Sequence, residues 1–103
     1  MAEITMNDWI IEQGEREVEA VIEIWDLVGD DRVVRELETI YTSAMKMIAY
    51  ATGGFTQNFH VDVRKAFNDG PVAMRGLVHD LKDRDYEGWD LPNPNYHRTV
   101  LNL

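Results

Sequence analysis

The chain has 103 residues, enough for one hydrophobic core and too few for two domains of ordinary size. Its apolar fraction of 45%, with three Trp, four Tyr and three Phe, excludes a chain too polar to fold, and the absence of cysteine excludes disulfides, thiolate metal sites and Cys nucleophiles. The net charge of −9 is concentrated: residues 1–38 hold twelve Asp or Glu and three Arg, whereas residues 39–103 hold seven acids and seven Lys or Arg. Direct nucleic-acid binding needs a basic patch that this distribution does not offer, and a basic partner is the natural counterpart of an acidic N-terminal third.

The first element is a helix over about 7–28. Ile11, Val18, Val21, Ile22, Trp25 and Val28 recur at three- and four-residue steps, with Gly14 filling one step. Thr5-Met-Asn-Asp8 has the spacing of a capping box. Gly29 is expected to end the helix in the left-handed conformation, and Asp30 or Asp31 to cap the next. A second helix over about 32–51 follows from Val34, Leu37, Tyr41, Ala44, Ile48 and Ala51, flanked by Val33, Ile40 and Met47, before Gly53-Gly54 ends the run. So short a connection predicts an antiparallel hairpin.

Between about 58 and 68, Phe59, Val63 and Phe67 at four-residue steps favour a short helix, although Phe59, Val61 and Val63 also alternate as a strand would. Asn68-Asp69-Gly70-Pro71 reads as a stop and a new start, with a capping Asp and a Pro in the first turn of a helix over about 71–82. Met74, Leu77, Val78 and Leu81 give that helix its buried face. Beyond Lys82, Pro, Gly and Asn replace periodicity, so a helical domain over 1–85 is followed by an extended tail over 86–103. Trp89, Leu91, Tyr96, Val100 and Leu103 are placed to dock that tail on the helices or to serve as a partner-binding arm. The fold class expected is all-α: a two-helix hairpin packed by two shorter helices and an irregular tail.

On a 100° wheel, Asp8, Glu12, Glu15, Glu19, Glu23 and Asp26 of the first helix fall within an arc of about 80°, a single acidic ribbon beside the apolar stripe. Like charges at i,i+4, as in Asp8/Glu12, Glu15/Glu19 and Glu19/Glu23, each cost roughly 0.2–0.5 kcal/mol at low salt, with only Arg16 to offset them locally. The simplest explanation is a solvated face. The functional one is a surface that steers toward a basic protein, in its sharpest form an inhibitor from a phage or mobile element that mimics nucleic acid against a nucleic-acid-binding protein. Trp9, Ala20, Ile24 and Leu27 form a second, minor apolar line. The tail or the later helices are expected to cover it; the alternative is a partner or homodimer interface anchored by Trp9 and Leu27.

Catalytic readings are weaker. A metal-dependent all-α nucleotide hydrolase is the enzymatic alternative, using the acids of the first helix with Glu36 or Glu38, but such sites draw ligands from facing helices and the second helix faces the first with apolar residues. His79-Asp80, with His60 upstream and Asp83, Asp85 or Asp90 downstream, has the ligand order of HD-type phosphohydrolases, yet too little chain follows for the helices such a site needs. His60 and His79 are expected at the surface or as caps. Ser43, the only serine, has no Gly-rich elbow, and residues 63–81 fit a helix-turn-helix poorly because Pro71 and Gly76 interrupt it and its bases are balanced by acids. No catalytic residue, cofactor or metal ligand is expected. No apolar stretch approaches the ~20 residues of a membrane span, and the chain starts without the basic region and apolar run of a secretory signal, so a cytoplasmic location is the expectation.

Overall fold

The computed structural model describes residues 5–84, 86 and 88. Among the described residues there are four helices and no strand: α1 (Met6–Trp25), α2 (Asp31–Thr52), α3 (Phe59–Asp69) and α4 (Pro71–Lys82). The expected all-α architecture is the one observed. Gly14 lies against Ala44 and Ile48, while Trp25 shares a cleft with Val34 and Leu37, so α1 and α2 run antiparallel. They form the closest helix pair, and α3 and α4 pack against them. The residues proposed to dock the tail, from Trp89 onward, lie outside the described residues.

Local chemistry sets the boundaries. The Thr5 hydroxyl accepts from the Asp8 amide at 3.1 Å and the Asp8 carboxylate accepts from the Thr5 amide at 3.4 Å, completing the capping box. The far end of α1 differs from expectation. The helix stops at Trp25 rather than running to 28, with Asp26 in a right-handed conformation and the Leu27 amide tightened onto the Ile24 carbonyl. Gly29 does not take the left-handed conformation, because the i→i+3 turn has already redirected the chain before it. Asp30 caps α2 by accepting from the Arg32 amide at 2.8 Å, and Gly53, at φ 76°, closes it in the left-handed conformation. Between α3 and α4 no Asp acts as a cap. Asp69 is the last residue of α3, and Gly70 alone (φ 105°) turns the corner, ending one helix and starting the next with Pro71 in its first turn.

The apolar stripes meet in one core. Val18, Val21 and Ile22 of α1, Leu37, Tyr41, Ala44 and Ile48 of α2, Phe59, Val63 and Phe67 of α3, and Met74, Leu77, Val78 and Leu81 of α4 are all buried. Each large side chain so buried contributes about 1.5–3 kcal/mol. Phe67 joins the layers, meeting Trp25 edge-on at 6.4 Å and Tyr41 at 6.0 Å between ring centroids. Met45 and Ala49 are buried as well, beyond the stripe read from periodicity, because α2 packs against all three other helices. The flanking residues Val33 and Ile40 are exposed, Met47 is partly buried, and Ile11, Trp25 and Val28 are half-buried at the edge of the core.

Candidate functional site

The carboxylates of the α1 ribbon have distinct local partners. Asp8 is held by the capping box, and Glu12 pairs with Arg16 one turn on, at 2.9 Å. Glu15 and Glu19 turn toward α4. Lys82 Nζ lies 3.0 Å from the Glu15 carboxylate, and the Arg75 guanidinium donates to both Glu19 oxygens, the shortest contact being 2.9 Å. The ribbon is therefore not offset by Arg16 alone. Two of its six carboxylates already have counterions from a helix more than fifty residues away in sequence. Glu23 and Asp26 are exposed and have no ion-pair partner among the described residues.

These pairs line a groove of about 200 Å³ between α1 and α4, with Val18 and Val78 at its floor and Glu15, Glu19, Arg75 and Lys82 at its rims. The Arg75 hydrogen bonds hold the Glu19 carboxyl below its ordinary range, against a smaller opposing effect of partial burial, and the same contact strengthens protonation of Arg75. Both side chains remain about half exposed, which limits how much the pair stabilises the fold.

The minor apolar line of α1 is not covered by the later helices. Trp9 is 52% exposed, Ile24 42% and Leu27 80%, and Met6 extends the line toward the N-terminus at 71%. Ala20 is exposed between them. The reason lies in rotation. The main stripe already directs α1 onto α2 and α4, which leaves the opposite side of the cylinder facing water beside the acidic ribbon.

The residues considered for catalysis are dispersed. Among the described residues, no three His, Asp or Glu side chains are grouped closely enough to hold a metal ion. His79 is exposed with Nδ1 3.1 Å from Asp83, and exposed His60 packs edge-on against Phe55 and Phe59. Ser43 is an exposed helical residue. Arg75 and Lys82, two of the bases a helix-turn-helix reader would use, are turned onto Glu19 and Glu15. Among the described residues, no helix is long and apolar enough to cross a membrane.

One polar cluster was not anticipated. Asp62, in the first turn of α3, is fully buried, and Tyr86 donates its hydroxyl hydrogen to the Asp62 carboxylate while accepting from Thr56 at 3.3 Å. Burial, reinforced by the neighbouring carboxylate, pushes the Tyr86 phenol well above its usual range, and burial does the same to Tyr41. The signal was in the sequence. Phe59, Asp62, Val63, Ala66 and Phe67 follow one three-four pattern, which puts the acid on the buried face. No family model, curated protein or solved structure matches the chain.

Proposed function

We propose that the protein is a non-enzymatic interaction module that presents the outer face of α1 to a basic surface on a partner protein. The observation that carries this reading is the adjacency, along the outer side of α1 and the turn that follows it, of an acidic ribbon ending at Asp26 and an unburied apolar line from Trp9 to Leu27. Carboxylates supply long-range steering and orientation, while an exposed Trp and Leu supply the desolvated anchors that most interfaces need. Acids on the ribbon recur every three or four residues, about 4.5–6 Å along the axis, a spacing comparable to that of phosphates along a nucleic-acid strand. The partner in the sharpest form of the proposal is therefore a nucleic-acid-binding protein whose phosphate channel the ribbon occupies.

The test uses Glu12→Lys with Glu23→Lys, since neither residue takes part in the α1–α4 ion pairs. Affinity capture from host extract is run in parallel with the wild-type chain and this variant, at low and high salt. A basic protein retained at low salt by the wild type alone, and displaced by an oligonucleotide, is the expected result. The same proteins held by both chains at both salts would refute the reading. Self-association is a second reading, favoured by the same exposure of Trp9 and Leu27, and it predicts a dimer mass by light scattering that Trp9→Ala with Leu27→Ala returns to the monomer.

A further inference from the structure

At the end of the bundle where α1 gives way to α2, Trp25, Val28, Val34, Leu37 and Phe67 line a cleft of about 290 Å³ together with the exposed Asp26 and Asn68. That volume sits near the lower limit for ligand pockets and matches one long side chain better than a folded element. The chemistry of its lining is one-sided: it holds one carboxylate and no Lys, Arg or His. Asp26 is exposed and has no ion-pair partner among the described residues.

The backbone adds to this bias. Asp26 caps the C-terminus of α1, and Phe67 and Asn68 lie in the last turns of α3, so the negative ends of two helix dipoles converge on the cleft. Neither helix has a basic residue in its last turn. The positive end of α2 is already met by Asp30, its cap, and Asp31 in its first turn. A slot whose accessible lining is about half polar, with the Trp25 ring and aliphatic side chains beside a carboxylate and an amide, suits a side chain with an aliphatic stem and a cationic head.

We propose that this cleft receives an arginine side chain from the basic partner, an inference that rests on the interaction reading above and specifies it. The methylene stem packs along Val28, Val34 and Leu37, the planar guanidinium lies against the Trp25 ring, and Asp26 accepts its hydrogen bonds with the Asn68 side-chain carbonyl beside it. Lysine fits the charge but not the stacking or the fork of donors.

The experiment is an amide and indole NMR titration of the full chain with acetyl-Gly-Arg-Gly-amide, against the same peptide carrying citrulline, which keeps the shape and removes the charge. Saturable shifts of the Trp25 indole and of Val28, Val34 and Asn68 are expected with arginine, and markedly weaker ones with citrulline. Asp26→Asn should weaken binding about fivefold, the change one partly exposed ion pair supports, while leaving the rest of the spectrum in place. Equal shifts from both peptides, undiminished binding by Asp26→Asn, or shifts centred on Glu12 to Glu19 would overturn the proposal. Cleft resonances that move with protein concentration alone would do so too, by identifying a second copy as the occupant. Partner capture sensitive to Glu12→Lys with Glu23→Lys, alongside a silent cleft, removes the pocket and keeps the interaction reading. A responsive cleft without salt-sensitive capture does the reverse.

Discussion

Replacing Gly14 with alanine sets two known effects against each other on α1. Alanine is the better helix former by about 0.8–1 kcal/mol, so an unobstructed site would gain stability. Here the new Cβ would lie 2.7 Å from Ile48 Cγ1, 3.1 Å from Ile48 Cδ1 and 3.1 Å from the Ala44 carbonyl oxygen. Cγ1 is the inner part of a buried side chain and the carbonyl belongs to the α2 backbone, so neither yields without moving the helix pair apart. Overpacking of this kind costs about 1–3 kcal/mol, which exceeds the propensity gain and leaves a net loss of about 1 kcal/mol. For a domain of this size that lowers Tm by about 4–8 °C. Gly29→Ala is the internal control. Nothing lies within 4 Å of its Cβ position and its φ is not left-handed, so it should gain about 0.4–1 kcal/mol through the unfolded chain. Urea unfolding of Gly14→Ala, Ile48→Ala and the double variant completes the argument. Ile48→Ala alone costs about 2–5 kcal/mol, and the double variant should be less damaged than the sum, with a coupling of about 1 kcal/mol or more. A Gly14→Ala chain stabilised as much as Gly29→Ala, or a cycle with no coupling, would show that the α1–α2 approach is not limited at this residue.

Tyr86→Phe should cost about 1–3 kcal/mol in urea unfolding, because it removes a hydroxyl donor to the buried Asp62 carboxylate. Tyr86 has a raised folded-state pKa, so its contribution is intact below the unfolded value of about 10 and is lost as pH climbs above it. The phenylalanine variant should therefore lose stability less steeply in alkali, with the buried Tyr41 accounting for part of what remains. Glu19 has a lowered pKa, so its contribution is intact above the ordinary glutamate value of 4.5 and fades as pH falls through the lower folded value. A Tm series from pH 6 to pH 3 should show a shallower acid decline for Glu19→Gln, and an unchanged curve would mean that the Arg75 contact does not persist in solution. Gly53→Ala forces a side chain into φ 76° and should lower stability by about 1 kcal/mol, read as a shift in urea midpoint without a change in slope.

The helices were legible because burial on one side of a cylinder leaves a three-four pattern, and Val18, Val21 and Ile22 or Met74, Leu77 and Leu81 state it plainly. The capping box at Thr5 and the left-handed Gly53 are local chemistry and were legible for the same reason. The end of α1 was not. A glycine four residues beyond a helix end looks like its cap, and only the i→i+3 bond from Leu27 to Ile24 shows that the helix had already closed. The acidic ribbon was visible as a ribbon, but its partners were not, because the pairing of Glu19 with Arg75 depends on how α4 is rotated against α1. Periodicity fixes which face of each helix is buried and leaves that relative rotation open. Tyr86 sits in an aperiodic stretch that gives no sign of burial, yet its ring is buried and meets Phe59 edge-on at 6.5 Å.

The ion pairs from α4 to α1 would also set a threshold for the recognition proposed above. A visiting cation that approaches Glu15 or Glu19 finds the position occupied by Lys82 or Arg75, tethered by the fold and present at an effective concentration no dilute solute matches. An isolated lysine would compete poorly with these tethered cations for the middle of the ribbon. A surface that arranges several cations at once can take Glu23 and Asp26 first and exchange with the tethered pair only afterwards. On the interaction reading proposed above, the built-in counterions would act as a filter on charge density, favouring dense basic surfaces over sparse ones.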